Sequence, residues 1–260
     1  MRKFLTVLLF ILSFSFCLPF AARAEDREDA VFQVSVINAL LEGVLEGGTN
    51  FKTLREKGDF GIGTFNDLDG EMIALDGNFY QLKSDGKAYA VSDSTKTPFG
   101  SVTFFTEDKL LYLDGATDYK ELTRKLDGLL PTKNIIYAVR IDGEFKYVKT
   151  RSVPAQQKPY PRLTEVVKTQ PVFEFHKVKG TLVGFYFPDY FEGINVPGYH
   201  FHFITRDKTA GGHVLEIKLG SVDVKVDEIS DFRLLLPGTE DFYSKDFSKS
   251  DKMDLVKVEK

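Results

Sequence analysis

The chain has 260 residues, 43% of them hydrophobic, which is ample for a packed core and excludes general disorder. Its formal charge is −4 with no basic block, so nucleic acid is not an expected partner. The single cysteine, Cys17, lies in the first 24 residues, and the rest of the chain can offer a metal only nitrogen and oxygen ligands.

Those first residues read as a processing signal. Arg2-Lys3 is a short basic start, Phe4 to Cys17 is apolar, and Ala22-Arg23-Ala24 fits a small-x-small cleavage pattern. A membrane anchor is the alternative, but the uncharged run from Phe4 to Ala22 includes Pro19 and meets Glu25-Asp26-Arg27-Glu28-Asp29 at once. Cleavage after Ala24 is expected. It removes Arg2, Lys3 and Arg23, so the 34 basic residues fall to 31 against 38 acidic. The mature chain is expected outside the cell or in a periplasm, without a membrane span.

Phe32-Gln-Val-Ser predicts a strand leading to a helix over Ile37 to Glu46, with Ile37, Leu40, Leu41 and Val44 as its apolar stripe and Gly47-Gly48 as its stop. Phe51 to Lys57 predicts a second short helix. From Asp59 short strands follow, Phe60 to Phe65, Glu71 to Leu75 and Phe79 to Leu82, with Asp76-Gly77 as a hairpin turn. Glu71 shares a strand face with Ile73 and Leu75. It is either a strand-end charge in water, the usual case, or a carboxylate held in a cleft with a raised pKa.

Val102 to Phe105 and Asn134 to Ile141 alternate as strands, with an amphipathic helix over Tyr119 to Leu129 between them. Asp142-Gly143 reads as another hairpin turn, returning as Phe145 to Arg151. Pro154, Pro159 and Pro161 mark an extended connection, and a helix over Leu163 to Gln170 stops at Pro171. A soft boundary here separates an N-terminal α/β domain, 25–170, from a C-terminal β domain, 171–260. In the latter, Val172 to Val178, Gly180 to Phe187, Ser221 to Glu228 and Phe232 to Leu236 predict strands. The tail from Leu255 has strand character too, with Val256 and Val258 on one face and Glu259 on the other. The expected class is α/β (α+β): two associated β-rich domains, a mixed sheet with helices and then a mainly antiparallel, barrel-like domain.

Three of the four histidines fall between Gly198 and Glu216. Tyr199, Phe201 and Phe203 alternate with His200 and His202, which therefore project from one face with Cα atoms roughly 6.6 Å apart. Arg206 to Gly212 reads as a turn, and His213 opens a returning strand. His200, His202 and His213 can then converge, and three neutral imidazoles with a fourth position open describe a catalytic zinc site. Other first-row metals also accept imidazole, and a polar strand face is the plain alternative.

These residues resemble the α-acetolactate decarboxylase family over nearly the whole mature chain. The most specific pieces are Gly-Asp-Phe-Gly-Ile-Gly-Thr-Phe at 58–65, Leu-Asp-Gly-Glu at 68–71, Tyr-Ala-Val-Arg-Ile at 137–141, Thr-Arg-Ser-Val at 150–153, Gly-Phe-Tyr-Phe-Pro at 184–188 and Gly-Tyr-His-Phe-His-Phe at 198–203. The resemblance implies zinc ligands at His200, His202 and His213, active-site acids at Glu71 and Glu259, and an arginine at Arg151. It also implies decarboxylation of (S)-2-acetolactate to (R)-acetoin through a metal-stabilised enediolate, and suggests a homodimer. Two other classes stay open on the residues. A cupin-like metal or sugar-binding barrel also carries His-x-His, though its usual glutamate is replaced by Asp207 at best. An exported binding domain with incidental histidines is the other.

Overall fold

The computed structural model describes residues 29–115, 117–249 and 252–259. The expected signal peptide, residues 1–24, lies outside them. In chain order the first elements are β1 (Ala30–Val34), α1 (Ile37–Leu41), β2 (Thr49–Asn50), α2 (Phe51–Arg55), β3 (Phe60–Thr64), β4 (Glu71–Leu75) and β5 (Asn78–Leu82). Next come β6 (Ala88–Ala90), β7 (Lys96–Thr97), β8 (Gly100–Thr103), β9 (Lys109–Leu113), α3 (Tyr119–Asp127), β10 (Ile136–Arg151) and α4 (Leu163–Val166). Then follow β11 (Val172–Phe187), β12 (Gly198–Thr205), β13 (Gly211–Ile229), β14 (Asp231–Leu235), α5 (Glu240–Ser244) and α6 (Lys252–Glu259). Among the described residues no helix is long and apolar enough to cross a membrane.

Seven strands form one mixed sheet in the order β14-β1-β8-β3-β4-β5-β6, in which β1 and β14 run parallel. The second sheet has the order β10-β11-β12-β13-β9, and β10 also pairs with β13. The antiparallel strands β10, β11, β12 and β13 thus form a partly closed, barrel-like sheet, with β9 appended outside. The expected class, a mixed sheet with helices beside an antiparallel barrel, is the observed one.

The two sheets pack face to face through alternate residues. Ile62, Ile73 and Leu75 of the mixed sheet meet Val183, Phe185, Phe187 and Ile204 of the barrel in one cluster. On the opposite face Met72 and Ala74 pack with Phe51, Leu54 and Phe65 under α2. The alternation of Glu71, Ile73 and Leu75 therefore points toward the barrel, which is what brings Glu71 to the histidines.

Several local expectations are corrected by pairing over distance. Asp142-Gly143 is not a hairpin turn. β10 runs unbroken from Ile136 to Arg151, because both its neighbours, β11 and β13, continue past that point and supply the hydrogen bonds. Gly143 marks a register shift against β13, at φ 151°, where a Cβ would lie 2.4 Å from the Ser221 carbonyl oxygen. The glycine is needed for close approach rather than for reversal. Likewise β11 joins two predicted strands into one. A split at residue 170 does not separate the sheets, since β10 precedes it and lies in the barrel, whereas β14 follows it and edges the mixed sheet. The first helix is shorter than expected, closing with the Gly43 N–H on the Leu40 carbonyl.

Candidate metal centre and active site

The alternation of β12 and the reversal at 206–210 place the three histidines on one side of a hairpin. His202 and His213 are directly opposed in the β12–β13 ladder, and His200 lies two residues along. Ring centroids are 5.1 Å apart for His200–His202, 4.8 Å for His200–His213 and 5.5 Å for His202–His213. One nitrogen from each lies within 4.8 Å of the others. Gly212 admits the close packing beneath them: at φ 156°, a Cβ there would sit 2.4 Å from the Arg151 carbonyl oxygen.

The centre is buried and its nitrogens are incompletely used. His202 and His213 are 1% and 3% exposed. His202 Nδ1–H donates to the Met72 carbonyl at 2.8 Å, which leaves the lone pair on Nε2. His200 Nε2 and His213 Nδ1 are 2.9 Å apart, and His213 Nε2 has no hydrogen-bond partner. Burial, reinforced by Arg151, pushes the His200 imidazole down to about 3. Burial likewise holds His202 and His213 well below the ordinary range, helped by Arg151 and by the neighbouring His200. Three neutral imidazoles with an orphaned buried nitrogen could hold a metal ion.

Glu71 opens β4 opposite Thr64 and is 7% exposed, so the strand-end charge in water is ruled out. Its Oε2 is 3.6 Å from His202 Nε2, and its Oε1 is 3.9 Å from Arg151 Nη1. Burial raises the carboxyl to about 7, opposed by Arg151 and aided by Glu259.

Arg151 ends β10, paired with His213 on one side and Val172 on the other. Nη1 donates to Gln170 Oε1 and Nη2 to the Val258 carbonyl, both at 2.8 Å. The Nε–H is buried without a protein acceptor.

The tail corrects the expected strand. α6 is a helix, and Leu255 and Val258, three residues apart, share the face packed with Leu40, Leu163 and Val166. Val256 is exposed at 38%, so the predicted pairing of Val256 with Val258 on one buried face does not occur. Glu259 nevertheless reaches the centre, with Oε2 3.5 Å from His200 Nε2 and 3.8 Å from His213 Nε2. Its burial raises the carboxyl to about 7 against the pull of Arg151.

All six sequence-predicted site residues, His200, His202, His213, Glu71, Arg151 and Glu259, line one cleft of about 600 Å³, open solvent at its mouth included. Leu40, Phe99, Val153 and Leu163 supply its apolar wall. Asp207 is elsewhere, exposed and bonded to Thr205 and Thr209 within its own turn, so the acid of a cupin-like arrangement is missing. Sequence reasoning missed Gln170, the Met72 carbonyl and Tyr119, whose burial and proximity to Glu259 raise its hydroxyl strongly. No local pattern marks them, because each is defined by a partner distant in sequence.

A family model described as alpha-acetolactate decarboxylase matches residues 31–249. The alpha-acetolactate decarboxylase of Methanosarcina mazei is 50% identical over 237 residues, covering 91% of this chain and 82% of that protein. That of Bacillus subtilis strain 168 is 44% identical over 221 residues, covering 85% and 87%. A crystal structure of alpha-acetolactate decarboxylase from the same Bacillus strain superposes with a TM-score of 0.87 at 43% identity, covering 88% of this chain and 99% of the other.

Proposed function

The chain belongs to the alpha-acetolactate decarboxylase family, and from that premise we propose that it is a zinc enzyme converting (S)-2-acetolactate to (R)-acetoin and CO₂ through an enediolate. The activity, decarboxylation of acetolactate, comes with the family. The metal is supported by this chain's three histidines, and the route by the resemblance of its motifs and the chemistry of the substrate. The observation that carries the reading is the approach of two acids, the buried Glu71 and the partly buried Glu259, to within 3.5 to 3.8 Å of a three-histidine cluster.

His200, His202 and His213 would hold the metal. When bound, zinc would supply a Lewis acid where negative charge develops on the ketone oxygen. Breaking the bond between the carboxylate carbon and C2 sends its electron pair toward the ketone oxygen, and the resulting enediolate needs one proton at C2. Glu71 and Glu259 are the acids within reach, and burial raises both carboxyls to about 7, so that a protonated form is available to a general acid near neutrality. Arg151 uses two of its N–H groups on Gln170 and Val258, which fixes the plane of the guanidinium. Its remaining donors and charge face the substrate carboxylate and the charge that develops from it.

The test is CO₂ release from racemic acetolactate by purified protein, with chiral analysis of the product and elemental analysis of the metal. Single-enantiomer acetoin and about one zinc per chain are expected. Absence of CO₂ release from metal-replete protein would overturn the reading.

Two further parts of the proposal rest on other residues. A homodimer is supported by β14, an edge strand whose Leu234 and Leu235 are 36% and 41% exposed and run on into Leu236 at 54%. Sedimentation at micromolar concentration tests it. Export rests on residues 1–24, and N-terminal sequencing of recovered protein should begin at Glu25.

A further inference from the structure

The helix that carries Glu259 has little of its own to hold it. α6 has eight residues and buries Leu255 and Val258, whereas Met253 and Val256 are exposed. A helix this short is marginal in water, so its place depends on what pins it. Near its end the Val258 carbonyl is held by Arg151. Toward its start Asp254 Oδ2 accepts from Arg162 Nη2 at 3.0 Å, and the same nitrogen donates to Glu42 Oε1 at 2.5 Å. Lys257 also bonds Asp254, but from within α6, and so ties the helix to nothing else.

Arg162 is the residue before α4, and Glu42 follows α1, so one guanidinium joins three helices. The residues beside it face the cleft, as Leu40 and Leu163 line it while Arg162 does not. Both carboxylate oxygens sit on one nitrogen and hence within about 5.5 Å of each other. Their side chains are 11% and 13% exposed, and the guanidinium between them offsets their mutual repulsion. We propose that Arg162 is a positioning residue for the decarboxylation: by bridging Glu42 and Asp254 it seats α6 and sets the reach of Glu259 over the histidines. This rests on the role given to Glu259 above.

The experiment measures kcat and KM for Arg162→Ala, Asp254→Asn, Glu259→Gln and the Arg162→Ala/Glu259→Gln pair, with metal content, melting temperature and hydrogen exchange of residues 252–259. Arg162→Ala and Asp254→Asn should each lower kcat about tenfold, and in the Glu259→Gln background the arginine change should cost less than about twofold. Zinc content should hold, and exchange in α6 should accelerate in both single variants. Relocating the charge, with Arg162→Glu and Asp254→Arg together, should restore much of the rate. Should Arg162→Ala fail to fold, Asp254→Asn reads the same bond from the other side. Wild-type kcat in a folded Arg162→Ala or Asp254→Asn variant, or an equal loss with and without Glu259, overturns the inference. A wild-type rate for Glu259→Gln alone is a different result: it removes Glu259 from the chemistry and takes the positioning role with it.

Discussion

Arg151 Nη2 donates to the Val258 carbonyl oxygen at 2.8 Å, across 107 residues of sequence. The arginine at the end of a barrel strand thereby holds the last turn of the C-terminal helix, and with it the acid that faces His200 and His213.

The tail is accordingly expected to be indispensable to turnover and nearly irrelevant to folding. Deleting Glu259 and Lys260 leaves Leu255 and Val258 docked but ends the chain in a carboxylate at Val258. Glu259→Gln avoids that new charge and is the cleaner variant. It should lower kcat by roughly a hundredfold or more, with the melting temperature and metal content unchanged. Steady-state kinetics and elemental analysis check this, and wild-type turnover in both variants would place the tail outside the chemistry.

Glu71→Gln keeps the shape of a side chain that is 7% exposed and removes its titrating proton. Turnover should again fall about a hundredfold with metal retained. A loss of metal alongside activity would instead mean that Glu71 serves the histidine centre structurally, through its contact with His202.

Arg151→Lys preserves the charge but not the fork. One ammonium group cannot reproduce the paired bonds to Gln170 and Val258, which leave from different nitrogens. Most activity should be lost, and the melting temperature should fall by a few degrees as buried acceptors lose their donors. Recovery of more than about half the rate by lysine would show that charge alone suffices.

His202→Ala removes an imidazole that is 1% exposed and also frees the Met72 carbonyl. Metal content and activity should fall together, since two remaining nitrogens bind weakly. Full activity in chelator-treated protein would overturn the metal reading for this site as a whole.

Asp227 offers a pH test away from the centre. It is 1% exposed, its Oδ2 accepts from the Thr106 N–H, and its Oδ1 has no partner. Burial raises its carboxyl from 3.8 to about 7, opposed by that backbone bond and reinforced by Asp29, Asp108 and Asp59. The folded state thus binds this proton more tightly than the unfolded one, so stability is fully present below the unfolded value and lost as pH rises toward about 7. Asp227→Asn should raise the melting temperature at pH about 8 and change it little at pH about 4. Thermal scans across that range decide it, and a pH-independent effect would reject the account.

The sequence by itself determined what is local: the histidine set, the mixed character of the fold, and most strands. His200 and His202 share a face because strand period is two, and His213 faces them because a short turn returns the chain directly. The family resemblance also implied Glu71, Arg151 and Glu259. Only the tertiary structure decided how those residues meet. Glu71 is buried because Ile73 and Leu75, on its face, pack against Phe185 and Phe187 more than a hundred residues away. Residues 142–143 stay extended because β11 and β13 flank them on both sides, which a turn-forming dipeptide does not disclose. In the tail, the spacing of Val256 and Val258 suits a strand, and that of Leu255 and Val258 suits a helix. Eight residues hold both patterns. The choice falls to the apolar surface of Leu40, Leu163 and Val166, which buries the second pair, and to the Arg151 and Arg162 bonds that pin the helix there.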